Sequence, residues 1–326
     1  MNKGKKMGED IKERLKRGLT SSPKYIPLWY AYDETGSKLH DSGSSEIPDY
    51  YMNWSTIDIL RNNVQDITRL PYKPTLIEMG SGNCANSRLI IDELMKKQQN
   101  LVFYPVDISK EFLFKTAEEL SREYNNALVV KPIAADYERG VQQLKQLKGS
   151  KLLLFFNSLQ NMPYDDQVNT IRLFSTLMTD KCRLVFSADI TQNRESVLKA
   201  YNDDAGLATK LHENIIMRLN RDEGSEIDLS MFKHEVEFIS DTRPHKTSYI
   251  SVTLLAKESV HYPIPGLGIG LKMDKGERIR LHEGVEGSCK YTMEQLQNIV
   301  EKAGLRVEET WTDEQKHAAI CRCKIA

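Results

Sequence analysis

Leu76-Ile77-Glu78-Met79-Gly80-Ser81-Gly82-Asn83-Cys84 is the stretch from which the fold of this chain can be read. An apolar run ends on an acid, two glycines follow with one residue between them, and a segment with helical patterning opens behind. Extended backbone running into a glycine turn leaves room for a ligand to lie directly against the main chain. Glu78 just before the turn favours a ligand with a positive or sugar-rich part over a bare pyrophosphate, which points to S-adenosylmethionine. The plainer alternative is a strand-to-helix turn that needs glycine only for its dihedral angles.

Outward from this turn, apolar and helical stretches alternate as an open parallel sheet requires. Strands are expected at 75–79, 102–107, 128–134, 151–157 and 183–189. Helices are expected between them, as at 87–97, where Leu89, Ile90, Leu94 and Met95 recur at helical spacing, and at 110–124. The strands are short and almost continuously apolar, the pattern of strands buried on both faces. In such α/β sheets ligands bind across the carboxyl ends of the strands. Gly80 and Gly82 follow the first strand, and Asp107 ends the second, where a carboxylate can accept both ribose hydroxyls. Asp136-Tyr137 follows the third, offering an acceptor for an adenine amino group and a ring beside the base. Gly80-x-Gly82-x-x-Ala85 also fits a loose dinucleotide fingerprint with Asp107 downstream, so a nicotinamide-dependent oxidoreductase is the rival enzyme. Glu78, the polar helix start Asn83-Cys84-Ala85-Asn86-Ser87 and Asp136 weigh against it.

The flanks are organised differently. Residues 1–20 are rich in Lys, Glu and Gly and run into a short amphipathic helix. A tyrosine-dense segment broken by Pro23, Pro27 and Pro48 follows and is expected to be loop and short helix. Helical patterning spans 195–221, and antiparallel strands are expected at 235–238, 249–255 and 278–282. A helix at 292–303 ended by Gly304 precedes two last strands at 306–310 and 319–325. Four segments result: 1–56 as part of a substrate subdomain, 57–190 as the Rossmann-like cofactor domain, 191–288 as a substrate-binding insertion, and 289–326 as a return to the sheet.

Composition narrows the class. The 326 residues are 40% hydrophobic and 28% charged, with a net charge of −1. No global field recruits nucleic acid or an anionic membrane. No apolar run approaches the ~18 residues of a membrane span, and the start lacks a signal-peptide core. Cys84, Cys182, Cys289, Cys321 and Cys323 are scattered and odd in number, which fits free thiols in a reducing cytoplasm and no metal site.

Several blocks in the same order resemble one family. They are Ile77-Glu78-Met79-Gly80-Ser81-Gly82, Pro105-Val106-Asp107-Ile108-Ser109, Ala200-Tyr201-Asn202-Asp203-Asp204, Arg218-Leu219-Asn220-Arg221 and Ser288-Cys289-Lys290-Tyr291. The family is that of the histidine-specific α-N-methyltransferases of ergothioneine biosynthesis, with the fungal enzymes that methylate tryptophan-type amino acids. The resemblance covers nearly the whole chain. It implies a class I methyltransferase-type Rossmann-like sheet with an α+β substrate-binding subdomain, S-adenosylmethionine as donor, and a free amino acid, histidine before tryptophan, as acceptor. By the same resemblance Glu78, Gly80, Ser81, Gly82, Asp107, Asp136 and Tyr137 hold the donor. Tyr32, Tyr50 or Tyr51, Asn161 and Tyr201 hold the acceptor's amino and carboxylate groups, with Tyr32, Asn161 and Tyr201 closest to the chemistry. Glu286 and Ser288 match the pair that reads an imidazole ring.

Departures from the family are local. Its glycine-rich turn is here Asn157-Ser158-Leu159-Gln160-Asn161, Asn86 stands where bacterial enzymes often have lysine, and 243–248 lacks a ring-lining methionine. A silent cofactor-binding protein is therefore a further alternative. A small-molecule partner, a monomer or weak homodimer, and no nucleic acid or membrane complete the expectations.

Overall fold

The computed structural model describes residues 3–39, 51–125, 127–202, 206–282 and 287–326, with side chains from residue 11 onward. The chain divides into two compact units. One comprises Tyr50–Asn193, Ser240–Ser248 and Cys289–Ala326, the other Met1–Asp49, Arg194–Ile239 and Tyr249–Ser288.

The first of these is built on an eight-stranded sheet. Its strands are β1 (Thr75–Met79), β2 (Leu101–Asp107), β3 (Leu128–Val130), β4 (Ile133–Ala134), β5 (Lys151–Phe155), β6 (Arg183–Asp189), β7 (Leu305–Thr312) and β8 (Ala318–Ile325). They lie in the order β3-β2-β1-β5-β6-β8-β7, with β4 also on β2. β1 to β6 pair in parallel, and β8 is inserted antiparallel between β6 and β7. Burial explains the apolar runs: every residue of β5 is buried, and so are the last six of β6.

Helices α1 (Tyr51–Ile67), α2 (Ala85–Lys97), α3 (Lys110–Glu123), α4 (Tyr137–Leu144), α5 (Tyr164–Ser175) and α6 (Met293–Lys302) belong to this unit. One core cluster joins Met52, Ile59 and Leu60 of α1 and Ile90, Ile91 and Leu94 of α2 to Leu76, Phe103, Leu152, Leu154, Val185 and Ile320 of the sheet. This packing moves two boundaries from their sequence-based places. Tyr51–Thr56 begins α1 and stays with the sheet. Residues 240–248 also belong here, because the Gln295 side chain donates to the carbonyls of Asp241 (3.0 Å) and Arg243 (2.9 Å), and Ser248 Oγ donates to Gln192 Oε1 (2.9 Å). The expected strand 128–134 is two short strands.

The other unit carries strands in the order Lys24–Tyr25, Arg278–Arg280, Ser248–Ala256, Phe232–Ile239. A hairpin, Val260–Ile264 with Ile269–Met273, adds a small two-stranded sheet that the sequence reading did not contain. The helical stretch expected at 195–221 is two helices, Arg194–Tyr201 and Leu207–Glu223. The second holds the aromatic segment in place. Arg218 donates to the Tyr30 carbonyl (2.9 Å) and lies over the Tyr30 ring (4.2 Å). Arg221 donates to Asp33 Oδ2 (2.8 Å), and Asn214 Nδ2 to the Ala31 carbonyl (3.0 Å). No helix among the described residues is long and apolar enough to cross a membrane.

Candidate active site

β1 is flanked by β2 on one side and β5 on the other, so chain direction across the sheet reverses there. Ligands in such sheets bind at this switch point, beyond the carboxyl ends of the strands. The glycine turn lies at that place. Gly80 has φ +73° and Gly82 φ +50°. The turn is tied to the neighbouring strand, because the N–H groups of Gly80 (2.8 Å) and Ser81 (3.2 Å) both donate to the Val106 carbonyl. A Cβ at Gly80 would meet Ser158 Oγ at 2.9 Å and the Tyr137 hydroxyl at 3.2 Å, whereas a Cβ at Gly82 would meet nothing within 4 Å. One glycine is thus packed on protein and the other opens onto space against the backbone.

Asp107 terminates β2 and stands beside this turn. Its Oδ2 accepts from the Gly82 N–H (3.0 Å) and its Oδ1 from the Ser109 N–H (2.9 Å), and the Ile108 N–H is a third backbone donor to the same carboxylate. Burial pushes its pKa upward while these backbone N–H groups hold it down. A further polar atom at the turn, Asn86 Oδ1, is buried without a hydrogen-bond partner among the described residues. Buried polar atoms are otherwise nearly always satisfied. A ligand carrying an ammonium group, ribose hydroxyls and an adenine fits this set of donors and acceptors.

Glu78 sits differently from the sequence expectation of an acid facing the ligand. It is 2% exposed and accepts from the Ser87 hydroxyl of α2. Desolvation raises its pKa to about 8, opposed by the Ser87 bond and reinforced by the charge of Asp107. In the unfolded chain this carboxyl ionises near 4.5. Between those values the native state keeps a proton that the unfolded state has released, so stability falls as pH rises from about 4.5 to about 8. Glu78→Gln keeps the shape and removes the titration. Its melting temperature is expected to match the wild type near pH 5 and to exceed it by several degrees above pH 8. Parallel melting curves across that range would show that Glu78 is not a buried titrating acid.

Asp136 caps α4, its Oδ1 accepting from the Arg139 N–H (2.8 Å), and Oδ2 lies 3.7 Å from Arg139 Nη1. The Tyr137 ring packs edgewise between Phe155 (5.5 Å) and Phe174 (5.6 Å), and its hydroxyl lies beside Gly80 and Ser158. It forms the floor of the glycine turn, which periodicity could not reveal. At the end of β5, Asn157 takes φ +53°, a conformation that asparagine tolerates better than other side chains. It does the conformational work of the glycine that the family pattern has in this turn. Ser187 Oγ accepts from the Asn157 N–H (2.8 Å) and donates to Asn157 Oδ1 (2.9 Å). Asn161 follows at the end of a single 3-10 turn, Leu159–Asn161.

Tyr51 opens α1. Its hydroxyl donates to Asp189 Oδ2 at 2.9 Å, and its ring lies 4.6 Å from that of His317. In the other unit, Tyr32 follows the 3-10 turn Leu28–Ala31. Tyr201 ends its helix, and its hydroxyl is hydrogen-bonded to Ser288 Oγ, so these two expected acceptor residues are brought together. Tyr50 and Glu286 lie outside the described residues. Sequence reasoning missed Ser158, Asp189 and a role for Lys290. Only the asparagine at 157, in a stretch already marked as a turn, gave a usable signal for its neighbourhood.

An open sheet in this strand order, with a glycine turn and an acid beside it at the switch point, is the arrangement of the S-adenosylmethionine-dependent methyltransferases. The family described as histidine-specific, SAM-dependent methyltransferase matches residues 11–325, and the chain belongs to it. It is 25% identical over 306 residues to the histidine N-alpha-methyltransferase of Mycolicibacterium smegmatis, covering 94% of this chain and 92% of that one. It is 24% identical over 314 residues to the Mycobacterium tuberculosis protein of the same name, covering 94% of each. A 4-dimethylallyltryptophan N-methyltransferase of Epichloe festucae is 20% identical over 335 residues, covering 98% of this chain and 96% of the relative.

Proposed function

We propose that the chain methylates the α-amino nitrogen of free histidine, giving N-methylated histidine or its trimethyl betaine. The glycine turn with Asp107 at the switch point, in a chain that matches the histidine-specific family along almost its whole length, carries the reading.

When bound, S-adenosylmethionine supplies an electrophilic methyl group on a sulfonium. The residues that would hold it are Gly80, Ser81, Gly82 and Asp107, with Asp136 at the adenine end and Glu78 and Tyr137 supporting the turn. The chain must bring a neutral nitrogen into line and strip the ammonium of its proton. A neighbouring positive charge and a dry pocket both favour the uncharged amine, so positioning supplies most of the acceleration. Asn161 and Tyr32 would orient the nitrogen, and Tyr201 would bind the carboxylate. Tyr201 and Ser288 bond each other, so a ligand that uses either hydroxyl must replace that bond with one at least as good. Ser288 and Glu286 would read the imidazole, Glu286 through a charge-assisted bond to a ring N–H.

The test is mass spectrometry of the product formed from S-adenosylmethionine and a pool of the twenty amino acids. Mass gain on histidine alone is expected; gain on tryptophan alone would move the assignment to the tryptophan-type relatives, and none at all would leave a silent binding protein. Glu286→Ala is expected to raise KM for histidine about 10- to 100-fold, the worth of one charge-assisted hydrogen bond. An equal effect on an apolar amino acid would remove Glu286 from the ring site. We further propose a monomer or weak homodimer in the cytoplasm, a location favoured by five buried, unbridged cysteines.

A further inference from the structure

Helix α3 packs on β2 and β3 at the edge of the eight-stranded sheet and buries Leu113, Thr116, Ala117 and Leu120. Its exposed side is charged in an order that inverts about the point between Thr116 and Ala117. Lys115 stands opposite Glu118 about that point, and Glu111 opposite Arg122. The outermost pair, Lys110 and Glu123, follows the same rule, with Glu123 also bound to Arg88 (3.0 Å). Two copies of the helix laid antiparallel on a two-fold axis through this point would bring each of these acids to a base of the other copy. A parallel pair in register would instead set like charge against like. Within one helix Glu118 lies 3.5 Å from Arg122 and Glu119 4.0 Å from Lys115, and these exposed contacts are weak enough to be exchanged.

An apolar knob and a groove lie on the same surface. Phe114 is 44% exposed. Beside it runs a groove of about 400 Å³ lined by Ala117, Glu118, Ser121, Arg122, Val130 and Pro132. The same two-fold axis sets Phe114 level with Glu119 of the other copy, one turn along from that copy's own Phe114. The ring would then stand over Ala117, Glu118, Ser121 and Arg122 of the second copy, which are the groove's helical wall. Knob, groove and both signs of every charge pair thus belong to one chain, which favours a second copy as the occupant over a different protein.

We propose that α3 is a self-association surface, on which a second copy docks antiparallel across a two-fold axis, the Phe114 ring of each chain seated in the groove of the other. This deepens the weak-homodimer alternative and is independent of which amino acid is methylated. Phe114 supplies the apolar burial, and the alternating charges fix register and direction. The helix has 14 residues and is about 21 Å long. One helix pair of that length is smaller than the ~1,200 Å² interface of stable complexes, so a dissociation constant of about 10–100 μM is expected.

The test is sedimentation velocity of the full chain from about 1 to about 300 μM, a range that brackets this constant. The wild type is expected to pass from monomer to dimer across it. Phe114→Ser should raise the dissociation constant about tenfold or more, because the symmetry removes two ring contacts at once. Should Phe114→Ser lower the melting temperature, Phe114→Gln takes its place with the same expectation. Lys115→Glu and Glu118→Lys should each weaken self-association about fivefold or more, since each puts like charges opposite one another twice. An equimolar mixture of these two single variants restores opposite charges at both contacts and should dimerise as the wild type does. A wild type that stays monomeric throughout would overturn the inference and leave the methyl-transfer reading intact. A dimer indifferent to Phe114→Ser, or a mixture that fails to recover, would likewise overturn it.

Discussion

Asp107→Asn is expected to lower affinity for S-adenosylhomocysteine about 100-fold or more while the chain still melts cooperatively. The carboxylate already receives the Gly82 and Ser109 N–H groups, one on each oxygen. An amide can accept on one side only, so its NH2 must face one of those donors. That change deforms the turn and removes the acceptor for one ribose hydroxyl. Hydrogen bonds to a charged partner are worth about 1.5–3 kcal/mol each, and two such losses correspond to two or more decades of affinity. Calorimetry with S-adenosylhomocysteine reads this directly. A loss under about threefold would take Asp107 out of the donor site and reopen the nicotinamide alternative, for which the same titration with a nicotinamide dinucleotide is the control.

The second large effect is at Gly80. An alanine there would hold φ +73°, which costs an L-residue about 1–2 kcal/mol, and would press on Ser158 Oγ and the Tyr137 hydroxyl. The turn cannot swing away, because Val106 holds the N–H groups of both Gly80 and Ser81. Gly80→Ala is therefore expected to destabilise the chain more than Gly82→Ala and to weaken S-adenosylhomocysteine binding about 30-fold. Adding Ser158→Gly removes the nearest contact but not the dihedral cost, so partial recovery is expected. Full recovery would show that crowding alone matters, and equal melting temperatures for the two alanine variants would contradict the different surroundings of the two glycines.

The sheet was legible because buried strands must be apolar on both faces, and the runs at β1, β5 and β6 have few other readings. Asp107 drew notice only together with the glycine turn before it and Asp136 after the third strand, since a single acid at a strand end is common in loops and here also binds the Gly82 and Ser109 N–H groups. Elements whose placement depends on distant partners were not legible. The hairpin 260–273 alternates buried and exposed residues around Pro263, Gly266, Gly268 and Gly270, a pattern that reads as loop until its own antiparallel partner is known. Residues 240–248 are held by the amide of Gln295, which looks like any helix-start glutamine. Tyr137 gives no local sign that its ring is enclosed by Phe155 and Phe174. Asp189 and Lys290 each carry the composition of a surface position, and only the topology that brings β6 beside Cys289–Lys290 turns them into a buried pair.

The insertion of β8 between β6 and β7 bears on how the molecule is made. Six strands are synthesised early and in parallel register, yet β6 presents an open row of unpaired N–H and C=O groups until residues 318–325 emerge from the ribosome. Bare strand edges are templates for intermolecular pairing. During translation a nascent chain therefore carries its stickiest border longest, and shielding by chaperones matters most in the interval before the closing strand arrives.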